Sequence, residues 1–482
     1  MIGIGGCGMS GLARILTARG ARVRGSDAST SDATRALERD RISVTFDQSH
    51  AELPSDLDMV IASAAIRPDN PQLLETERRG VPHLTYAEAL GRCMDAHTGV
   101  AVAGTHGKST TTAALGVALA SAGFDPTVIV GATCEQLSAV PGHPAGFRLG
   151  AERIPTGPLA GSPGLLVAEA CEFNRSFHNY RPRVAAITSV EADHLDVYGT
   201  LDEVVRAFRE FAGLITGTAD GGVLIIAHDG AHRREVTAGL ACRVMTIGFS
   251  PAADYVVQFD RETRGTSLRT REGRTLAEWG TRLPGEHNAM NLATAAAIAH
   301  QLGADMEQIG ASLGSFKGLD RRTQFLGEKR LPRSIGGGCV RVYDDYGHHP
   351  TEVDATLRAL RDFERPRERG GRLICVFQPH QHSRTRHLLD EFASAFSAAD
   401  VVIVPHIYFV RDSQEERTKV TAADLVDRLR AKGIQAMHLY PFEAIIEQLQ
   451  NLCRPGDLLV VMGAGPVYEV ARGYLAGETA NA

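Results

Sequence analysis

The stretch GTHGKSTTTAALGVALASAG, from Gly104 to Gly123, decides the fold prediction for this chain. It follows the apolar segment Gly99–Ala103 and changes from a glycine-rich loop into an alanine-rich helical pattern. The order strand, glycine loop, helix is typical of a phosphate-binding loop, here shortened relative to the common G-x4-G-K-[ST] spacing. In such a loop the backbone N–H groups point at phosphate oxygens, the lysine (Lys108) reaches the β- and γ-phosphates, and the hydroxyl (Ser109) binds Mg²⁺. The stretch therefore predicts an ATP site with magnesium.

Acidic residues end two further apolar segments of the chain. Glu169 closes LLVAEACE, and Glu191, Asp193 and His194 close VAAITSVEADHLD. Ligands of open α/β sheets bind at the carboxyl ends of the strands, and phosphate-bound Mg²⁺ commonly takes one or two protein carboxylates. We therefore expect magnesium ligands among these residues, with a helix N-cap as the alternative for Asp193.

The beginning of the chain carries a second nucleotide-binding pattern. Residues Gly3 to Gly8 fit G-x-G-x-x-G, and Asp27 ends the next predicted strand. This spacing predicts a diphosphate at a helix N-terminus and an acid that binds a ribose or base, as in sites for dinucleotides or nucleotide sugars. A purely structural turn between strand and helix is the alternative. Only Met1 and Ile2 precede Gly3, whereas strands usually have about 5–6 residues, so we expect the native chain to extend upstream of Met1.

The 482 residues are too many for one core, and their pattern divides them into three α/β segments. The first ends near Ala96. Predicted strands of the second are 99–103, 127–130, 165–168, 184–189 and 222–226, and those of the third are 340–343, 373–377, 401–405 and 458–462. Helical patterns lie between them, including 288–301, 351–363, 388–398 and 422–431. The Gly- and Pro-rich residues 141–163 are expected to form an exposed excursion.

Composition excludes several other classes of protein. The net charge of −6 argues against a nucleic-acid or anionic-membrane partner. The eight cysteines include no C-x2-C pair, which predicts free thiols in a reducing compartment. No apolar run approaches the ~20 residues of a membrane span. We therefore expect a cytoplasmic protein.

Motifs along nearly the whole chain resemble those of the Mur ligases. In chain order they are GIGGCGMSGLARIL, GSD, ASAAIRPDNP, AVAGTHGKSTTTA, EACEFNRSF, ITSVEADHLDVYG, GEHNAMNLATAAA, DRRTQFLG, DDYGHHPTEVDATL, FQPHQHSRTR and MGAG. The resemblance implies three α/β domains: a Rossmann-like UDP-sugar domain (1–96), a central P-loop ATPase (97–322) and a Rossmann-like amino-acid domain (323–482). It also implies ATP-dependent joining of L-alanine to UDP-N-acetylmuramate, through an acyl phosphate, in peptidoglycan precursor synthesis; DDYGHHPTE is the most telling motif for this member of the family.

The resemblance also implies roles for individual residues. Catalysis would involve Lys108, His194, His348 and Arg384, with His348 orienting or deprotonating the incoming amine and Arg384 binding the amino-acid carboxylate. Two Mg²⁺ ions would be held, one by Ser109 and Glu169, the other by Glu169 and His194. The residues implied for ATP are Gly104, Thr105, His106, Gly107, Lys108, Ser109, Thr110, His287, Asn288, Asn291, Arg322 and Asp345. Those implied for the two other substrates are Gly5, Gly6, Gly8, Met9, Ser10, Asp27, Ser63, Glu172, Tyr346, His348, His380 and Arg384.

Structural roles are the alternatives for three of these residues: a helix cap for His287, a solvated charge for Arg322 and a structural histidine for His348. The chain also departs from the family pattern. Ser109 replaces the usual threonine, two carboxylates are missing after Glu169, and Gln381 stands where an arginine is usual. The last departure predicts a weaker amino-acid site, unless Arg411 compensates.

Three other functions compete with ligation of L-alanine as interpretations of the sequence. A recycling ligase would add a preformed murein tripeptide to UDP-N-acetylmuramate, and DDYGHHPTE argues against it. A non-catalytic nucleotide-binding module is opposed by the intact Lys108, Ser109, Glu169 and His194. An oxidoreductase, suggested by the first glycine turn, would leave the phosphate-binding loop without a role. A monomer or weak homodimer is expected.

Overall fold

The computed structural model describes residues 1–48, 51, 53–333, 337–410 and 412–477. They form two compact units, and each is described by itself. The first comprises 1–191, 201–282 and 290–317, and the second comprises 192–200, 283–289 and 318–482. Over the described ranges no helix is both long and apolar enough to cross a membrane. The predicted domain limits near residues 96 and 322 stay predictions.

The N-terminal part of the first unit contains two pairs of parallel strands, which are connected by a single residue, Ile2. Its elements are α1 (Cys7–Ala18), β1 (Arg24–Ser26), α2 (Asp32–Arg39), β2 (Ser43–Thr45), β3 (Val60–Ala62), α3 (Pro71–Arg78), β4 (His83–Thr85) and α4 (Tyr86–Asp95). β1 pairs with β2, and β3 pairs with β4, both in parallel. Ile2 bridges Ser26 on one side and Ala62 on the other, so it connects the two pairs. The expected glycine turn and helix are present and Asp27 directly follows β1, but the strand expected before Gly3 is reduced to the bridges of Ile2.

A ten-stranded sheet forms the larger part of the first unit. In chain order the elements are β5 (Thr98–Ala103), α5 (Lys108–Ser121), β6 (Thr127–Cys134), β7 (Ala145–Arg148), β8 (Leu165–Glu169), β9 (Val184–Ile187), α6 (Leu195–Tyr198, within the second unit), α7 (Leu201–Ala212), β10 (Val223–Ala227), α8 (Arg233–Thr237), β11 (Arg243–Gly248), β12 (Tyr255–Phe259), β13 (Gly265–Thr270), β14 (Thr275–Gly280), α9 (Glu286–Gln301) and α10 (Met306–Ser315). The strand order is β14-β13-β12-β11-β10-β9-β5-β8-β6-β7.

The central strand of this sheet, β5, leads directly into the phosphate-binding loop that begins at Gly104. β5 is buried along its whole length between β8 and β9, which explains the apolar sequence that follows Thr98. α5 is buried on nearly all sides and packs against β6 and α10, so small alanine side chains suit it. The expectation for residues 141–163 is wrong in part, because Ala145–Arg148 pairs with β6 as an antiparallel edge strand. The antiparallel strands β12 to β14 were not predicted.

The second unit is built on a six-stranded sheet of order β15-β16-β20-β17-β18-β19. Its elements are β15 (Gln324–Arg330), β16 (Cys339–Asp345), α11 (Pro350–Glu364), β17 (Leu373–Phe377), α12 (His382–His387), α13 (Leu389–Ala395), β18 (Val401–Val404), α14 (Ala422–Ala431), β19 (Gln435–His438), α15 (Phe442–Leu452), β20 (Leu458–Met462) and α16 (Tyr468–Ala476). All neighbours pair in parallel except β15, which is antiparallel to β16. Separate apolar clusters cover its two faces. The predicted α/β class is confirmed.

Candidate active site

The phosphate-binding loop depends on two glycines in left-handed or otherwise restricted conformations. Gly104 has φ +132° and Gly107, the N-cap of α5, has φ +82°. A Cβ on Gly104 would lie 2.0 Å from Thr188 Oγ1, and one on Gly107 would lie 2.3 Å from Asn291 Oδ1. A side chain at either position would therefore fill the loop or displace its walls.

The Lys108 ammonium is enclosed by the loop that carries it. Its Nζ donates hydrogen bonds to the carbonyl oxygens of Gly104 and Thr105 at 2.6 and 3.1 Å, and to Glu172 Oε1 at 2.9 Å. Burial lowers the pKa of Lys108, but the nearby carboxylate of Glu172 and other acidic groups raise it further, so its net pKa lies above the usual value. The sequence resemblance assigns Glu172 to substrate binding and does not predict its contact with Lys108.

Ser109 and Glu169 bring oxygen atoms together beside this lysine. Ser109 Oγ donates to Glu169 Oε1 at 3.1 Å, and Glu169 Oε2 accepts from the Gly131 backbone N–H at 2.7 Å. A hydroxyl and a carboxylate are the hard donors that Mg²⁺ prefers. These residues therefore fit the magnesium ion that the sequence predicts.

The segment after β9 supports the other side of the loop. The Thr105 backbone N–H donates to the Ser189 carbonyl, and Thr105 Oγ1 accepts from the Glu191 N–H, both at 2.9 Å. The His106 N–H donates to Ser189 Oγ at 3.0 Å, and the His106 ring lies 3.5 Å from the Glu191 carboxylate. Thr110, also predicted to bind ATP, is buried in the first turn of α5. The loop is thus held in shape by the protein itself.

The first glycine turn is held by its own acid. The Gly5 N–H donates to Asp27 Oδ2 at 2.7 Å, so the Asp27 carboxylate stabilises the glycine turn. Gly6 is the N-cap of α1, Met9 and Ser10 are buried in its first turns, and the Ser10 hydroxyl donates to the Cys7 carbonyl. A Cβ on Gly8 would lie 2.5 Å from the Tyr86 hydroxyl oxygen. Ser63, which follows β3, donates its N–H to the Ile2 carbonyl.

In the second unit Arg384 binds a protein carboxylate. Its Nε and Nη2 donate to Asp193 Oδ1 at 3.1 and 2.7 Å, and its Nη1 lies 3.2 Å from His380 Nδ1. Burial would raise the pKa of Asp193, but Arg384, with His194 and His348, holds it well below its usual range. The guanidinium predicted to bind the amino-acid carboxylate is therefore already paired.

His194 and His348 lie near this pair within the same unit. His194 caps α6 with φ +53°, and its N–H donates to Asp193 Oδ1 at 2.7 Å. His348 Nδ1 lies 3.1 Å from the Tyr346 carbonyl, and its ring centroid is 5.6 Å from that of His380. Burial lowers the pKa of His348 to about 4, so the imidazole is neutral near neutral pH.

The motif DDYGHH is held by the arginines of the preceding loop. The Asp345 carboxylate accepts hydrogen bonds from the backbone N–H groups of Thr323 and Gly347, with N-to-O distances of 2.6 Å in both cases. The Arg322 guanidinium lies 5.1 Å from the Tyr346 ring centroid and 3.5 Å from the Glu352 carboxylate. Arg321, which the sequence did not single out, stacks on Tyr346 and Tyr468, pairs with Asp344 and donates to the Gly463 carbonyl at 2.6 Å. It joins this motif to the MGAG turn.

The remaining predicted residues divide between the two units. In the second unit, burial lowers the pKa of His287 to about 4, and the Asn288 amide donates to the Pro284 carbonyl at 2.8 Å. Asn291 belongs to the first unit, where it faces Gly107. Gln381 has φ +68° and is buried, and its Nε2 has no hydrogen-bond partner within the described ranges. Arg411 lies outside the described residues.

Comparison with known proteins gives a consistent result along the chain. Three family models match: Mur ligase family, catalytic domain (residues 1–98), Mur ligase middle domain (102–299) and Mur ligase, glutamate ligase domain (321–465). A UDP-N-acetylmuramate–L-alanine ligase of Agathobacter rectalis is 37% identical over 478 residues, covering 98% of this chain and 96% of its own. One of Sorangium cellulosum is 37% identical over 477 residues, covering 98% and 94%.

Solved structures with the same fold extend over the whole chain. The UDP-N-acetylmuramate-alanine ligase of Thermotoga maritima has a TM-score of 0.75 at 24% identity, covering 98% of this chain and 97% of its own. A murein peptide ligase of Psychrobacter arcticus has a TM-score of 0.70 at 22% identity, covering 100% and 98%. At these identities the likeness supports the fold.

Proposed function

This chain belongs to the Mur ligase family, and on that premise we propose that it joins L-alanine to UDP-N-acetylmuramate with ATP. The observation that carries the proposal is the loop around Lys108, with the Ser109–Glu169 oxygen pair beside it. The two substrates are those named for relatives that match the full length of the chain. The product is a peptidoglycan precursor, and we place the reaction in the cytoplasm with a monomer or weak homodimer as the enzyme.

The chemistry explains why a phosphate-binding loop is needed. A carboxylate is a poor electrophile, and an amine does not displace its oxygen at neutral pH. Transfer of the γ-phosphoryl group of ATP to the carboxylate gives an acyl phosphate and ADP. The free amine of L-alanine then attacks the carbonyl carbon and the C–N bond forms. Inorganic phosphate leaves with the C–O bond electrons, and the proton lost by the nitrogen passes to phosphate or to water.

The first unit supplies the groups for the phosphoryl step. Lys108 is positively charged and held at the centre of the loop, so it reduces repulsion between the substrate carboxylate and the γ-phosphate. Ser109 and Glu169 would hold a Mg²⁺ ion, which supplies further charge compensation at the phosphates. A second ion held by Glu169 and His194 stays a prediction of the family resemblance.

Other residues are proposed to bind the nucleotide and the amino acid. His287, Asn288, Asn291, Arg322 and Asp345 are assigned to ATP by the family pattern. His348 is neutral, and a base whose pKa is about 4 is too weak to deprotonate an ammonium group efficiently. We therefore propose that His348 orients the amine by accepting a hydrogen bond. The family pattern assigns Tyr346, His380 and Arg384 to the same substrate, although Arg384 already pairs with Asp193.

The recycling ligase is not favoured as an alternative. The alanine ligases of A. rectalis and S. cellulosum are 37% identical to this chain. The murein peptide ligase of P. arcticus is 22% identical and supports only the fold.

Phosphate release tests the proposal directly. The protein is incubated with ATP, Mg²⁺ and UDP-N-acetylmuramate, and L-alanine, glycine, L-serine or murein tripeptide is added in turn. We expect release with L-alanine and its loss in Lys108→Ala. Release only with the tripeptide would instead identify a recycling ligase, and no release with any acceptor would contradict an enzymatic role.

A further inference from the structure

Tyr86 presents a free hydroxyl between the two nucleotide-binding patterns of the first unit. It is the first residue of α4, and a capping box fixes that turn, because Thr85 N–H donates to Glu88 Oε2 at 2.7 Å and Glu88 N–H donates to Thr85 Oγ1 at 3.3 Å. Within the described part of the chain the Tyr86 hydroxyl makes no hydrogen bond. Such a half-buried donor is available to bind a ligand or water.

The contacts of the Tyr86 ring place it beside both predicted binding regions. The ring lies against Gly8 in the first turn of α1, where a Cβ would come within 2.5 Å of the hydroxyl oxygen and 2.6 Å of Cζ. Glu169, the carboxylate next to Ser109, is also near enough for its charge to raise the pKa of the phenol. Burial raises the pKa of Tyr86 well above its usual value, and Tyr180 and Glu169 raise it further, so the hydroxyl keeps its proton and remains a donor.

The shape of the proposed substrate connects these two regions. UDP-N-acetylmuramate carries a diphosphate, expected at the start of α1, and an acid on a lactyl arm, expected near Lys108 and Glu169. The sugar and its arm must therefore pass the position that Tyr86 occupies. Among the acceptors of that part of the substrate, the carboxylate forms the strongest hydrogen bonds because it is charged.

We propose that the Tyr86 hydroxyl donates a hydrogen bond to the lactyl carboxylate of UDP-N-acetylmuramate and so selects the acid-bearing sugar nucleotide. This inference rests on the proposed function, since it concerns the substrate of the same site. Tyr86 would distinguish UDP-N-acetylmuramate from UDP-N-acetylglucosamine, which is the same nucleotide sugar without the lactyl arm. Gly8 is then required in part because any larger residue would displace the phenol.

Calorimetric titration of the full-length protein with each nucleotide sugar tests the proposal. In Tyr86→Phe we expect the dissociation constant for UDP-N-acetylmuramate to rise at least about tenfold. A tenfold rise corresponds to a loss of about 1.4 kcal/mol of binding free energy. The constant for UDP-N-acetylglucosamine should change by less than about twofold. The melting temperature should stay unchanged because the lost hydroxyl makes no hydrogen bond within the described protein.

Tyr255→Phe is the matched control, because it removes a phenol hydroxyl that is hydrogen-bonded to His300 and Gln301. Tyr255 lies in β12, which is not a neighbour of β5 in the sheet. It should lower the melting temperature and leave both dissociation constants unchanged. The proposal is overturned if Tyr86→Phe binds both nucleotide sugars like the wild type. It is equally overturned if both weaken together, which would place the hydroxyl at the diphosphate. A wild-type protein that neither binds nor turns over UDP-N-acetylmuramate would overturn the proposed function itself.

Discussion

The ion pair between Lys108 and Glu172 makes a strong prediction about the first unit. The side chains are 13% and 3% exposed, and Lys108 directs hydrogen bonds to Glu172 and to two backbone carbonyls. Each charge is therefore compensated in part by the other. We expect Lys108→Met and Glu172→Gln to have strongly non-additive effects on the free energy of unfolding.

The contacts of this ion pair indicate how much each substitution should lower the free energy of unfolding. Lys108→Met leaves the Glu172 carboxylate buried without its cation, which costs about 3–5 kcal/mol. Glu172→Gln keeps an oxygen acceptor for the ammonium and exchanges a charged hydrogen bond for a neutral one, which costs about 1–2 kcal/mol. The double variant removes both charges. Its cost should be about 2–3 kcal/mol below the sum of the single costs.

Urea unfolding of the four proteins measures this coupling. The only tryptophan, Trp279, is buried in β14, so its fluorescence reports on the first unit. Additive effects would refute the pairing of Lys108 with Glu172. Calorimetry of Glu172→Gln adds a second check: we expect tighter ATP binding, because the variant removes a negative charge beside the phosphate-binding ammonium of Lys108, and unchanged UDP-N-acetylmuramate binding. Unchanged ATP binding with weaker UDP-N-acetylmuramate binding would support the sugar-side role that the family pattern assigns to Glu172.

Three further predictions concern both units. Burial lowers the pKa of His287 and His348 to about 4, so their protonation favours the unfolded chain and stability falls as pH drops from about 6.5 towards 4. At pH 5 each should cost about 2 kcal/mol, and His348→Gln should remove its share of the loss between pH 7 and pH 5 in urea titrations. Gly107→Ala should abolish measurable ATP binding in calorimetry, because its Cβ would meet Asn291 Oδ1 at 2.3 Å. Gly123→Ala, with φ +80° but no atom nearer than 3.6 Å, should retain ATP binding. Gln381→Arg should lower the KM for L-alanine about tenfold, since a charged donor would replace a neutral amide, and an unchanged KM would contradict this.

Local patterns in the sequence predicted most of the α/β framework. The helix over 422–431 and the strands over 373–377 and 458–462 have the predicted limits. These elements are continuous apolar or amphipathic runs between clear turn residues, so their type depends on local sequence. The pairing of Ala145–Arg148 with β6 was missed, because glycine and proline mark turns but do not reveal which edge a short segment will join.

Partners of charged residues were the least predictable part of the site. Lys108, Ser109 and Glu169 lie near one another, and their roles stay predictions. The pairs themselves join residues 64 positions apart for Lys108–Glu172 and 191 apart for Arg384–Asp193. Such pairs follow from the order of strands in the sheet, which no spacing in the sequence encodes. Arg321 was missed because an arginine in a loop has no distinguishing local pattern.

The pairing of Arg384 with Asp193 bears on how an amino acid is recognised. Both residues are buried, and Arg384 already directs Nε and Nη2 at the Asp193 carboxylate and Nη1 towards His380. An incoming carboxylate that took this guanidinium would leave Asp193 buried without its cation, at a cost of about 3–5 kcal/mol. The gain from the new charged bond, about 1.5–3 kcal/mol, does not offset that cost. Gln381 lies three residues earlier, and its Nε2 donor has no partner within the described ranges. The energetics therefore favour Arg384 as the residue that fixes Asp193, and an amide such as that of Gln381 as the first contact of the alanine carboxylate.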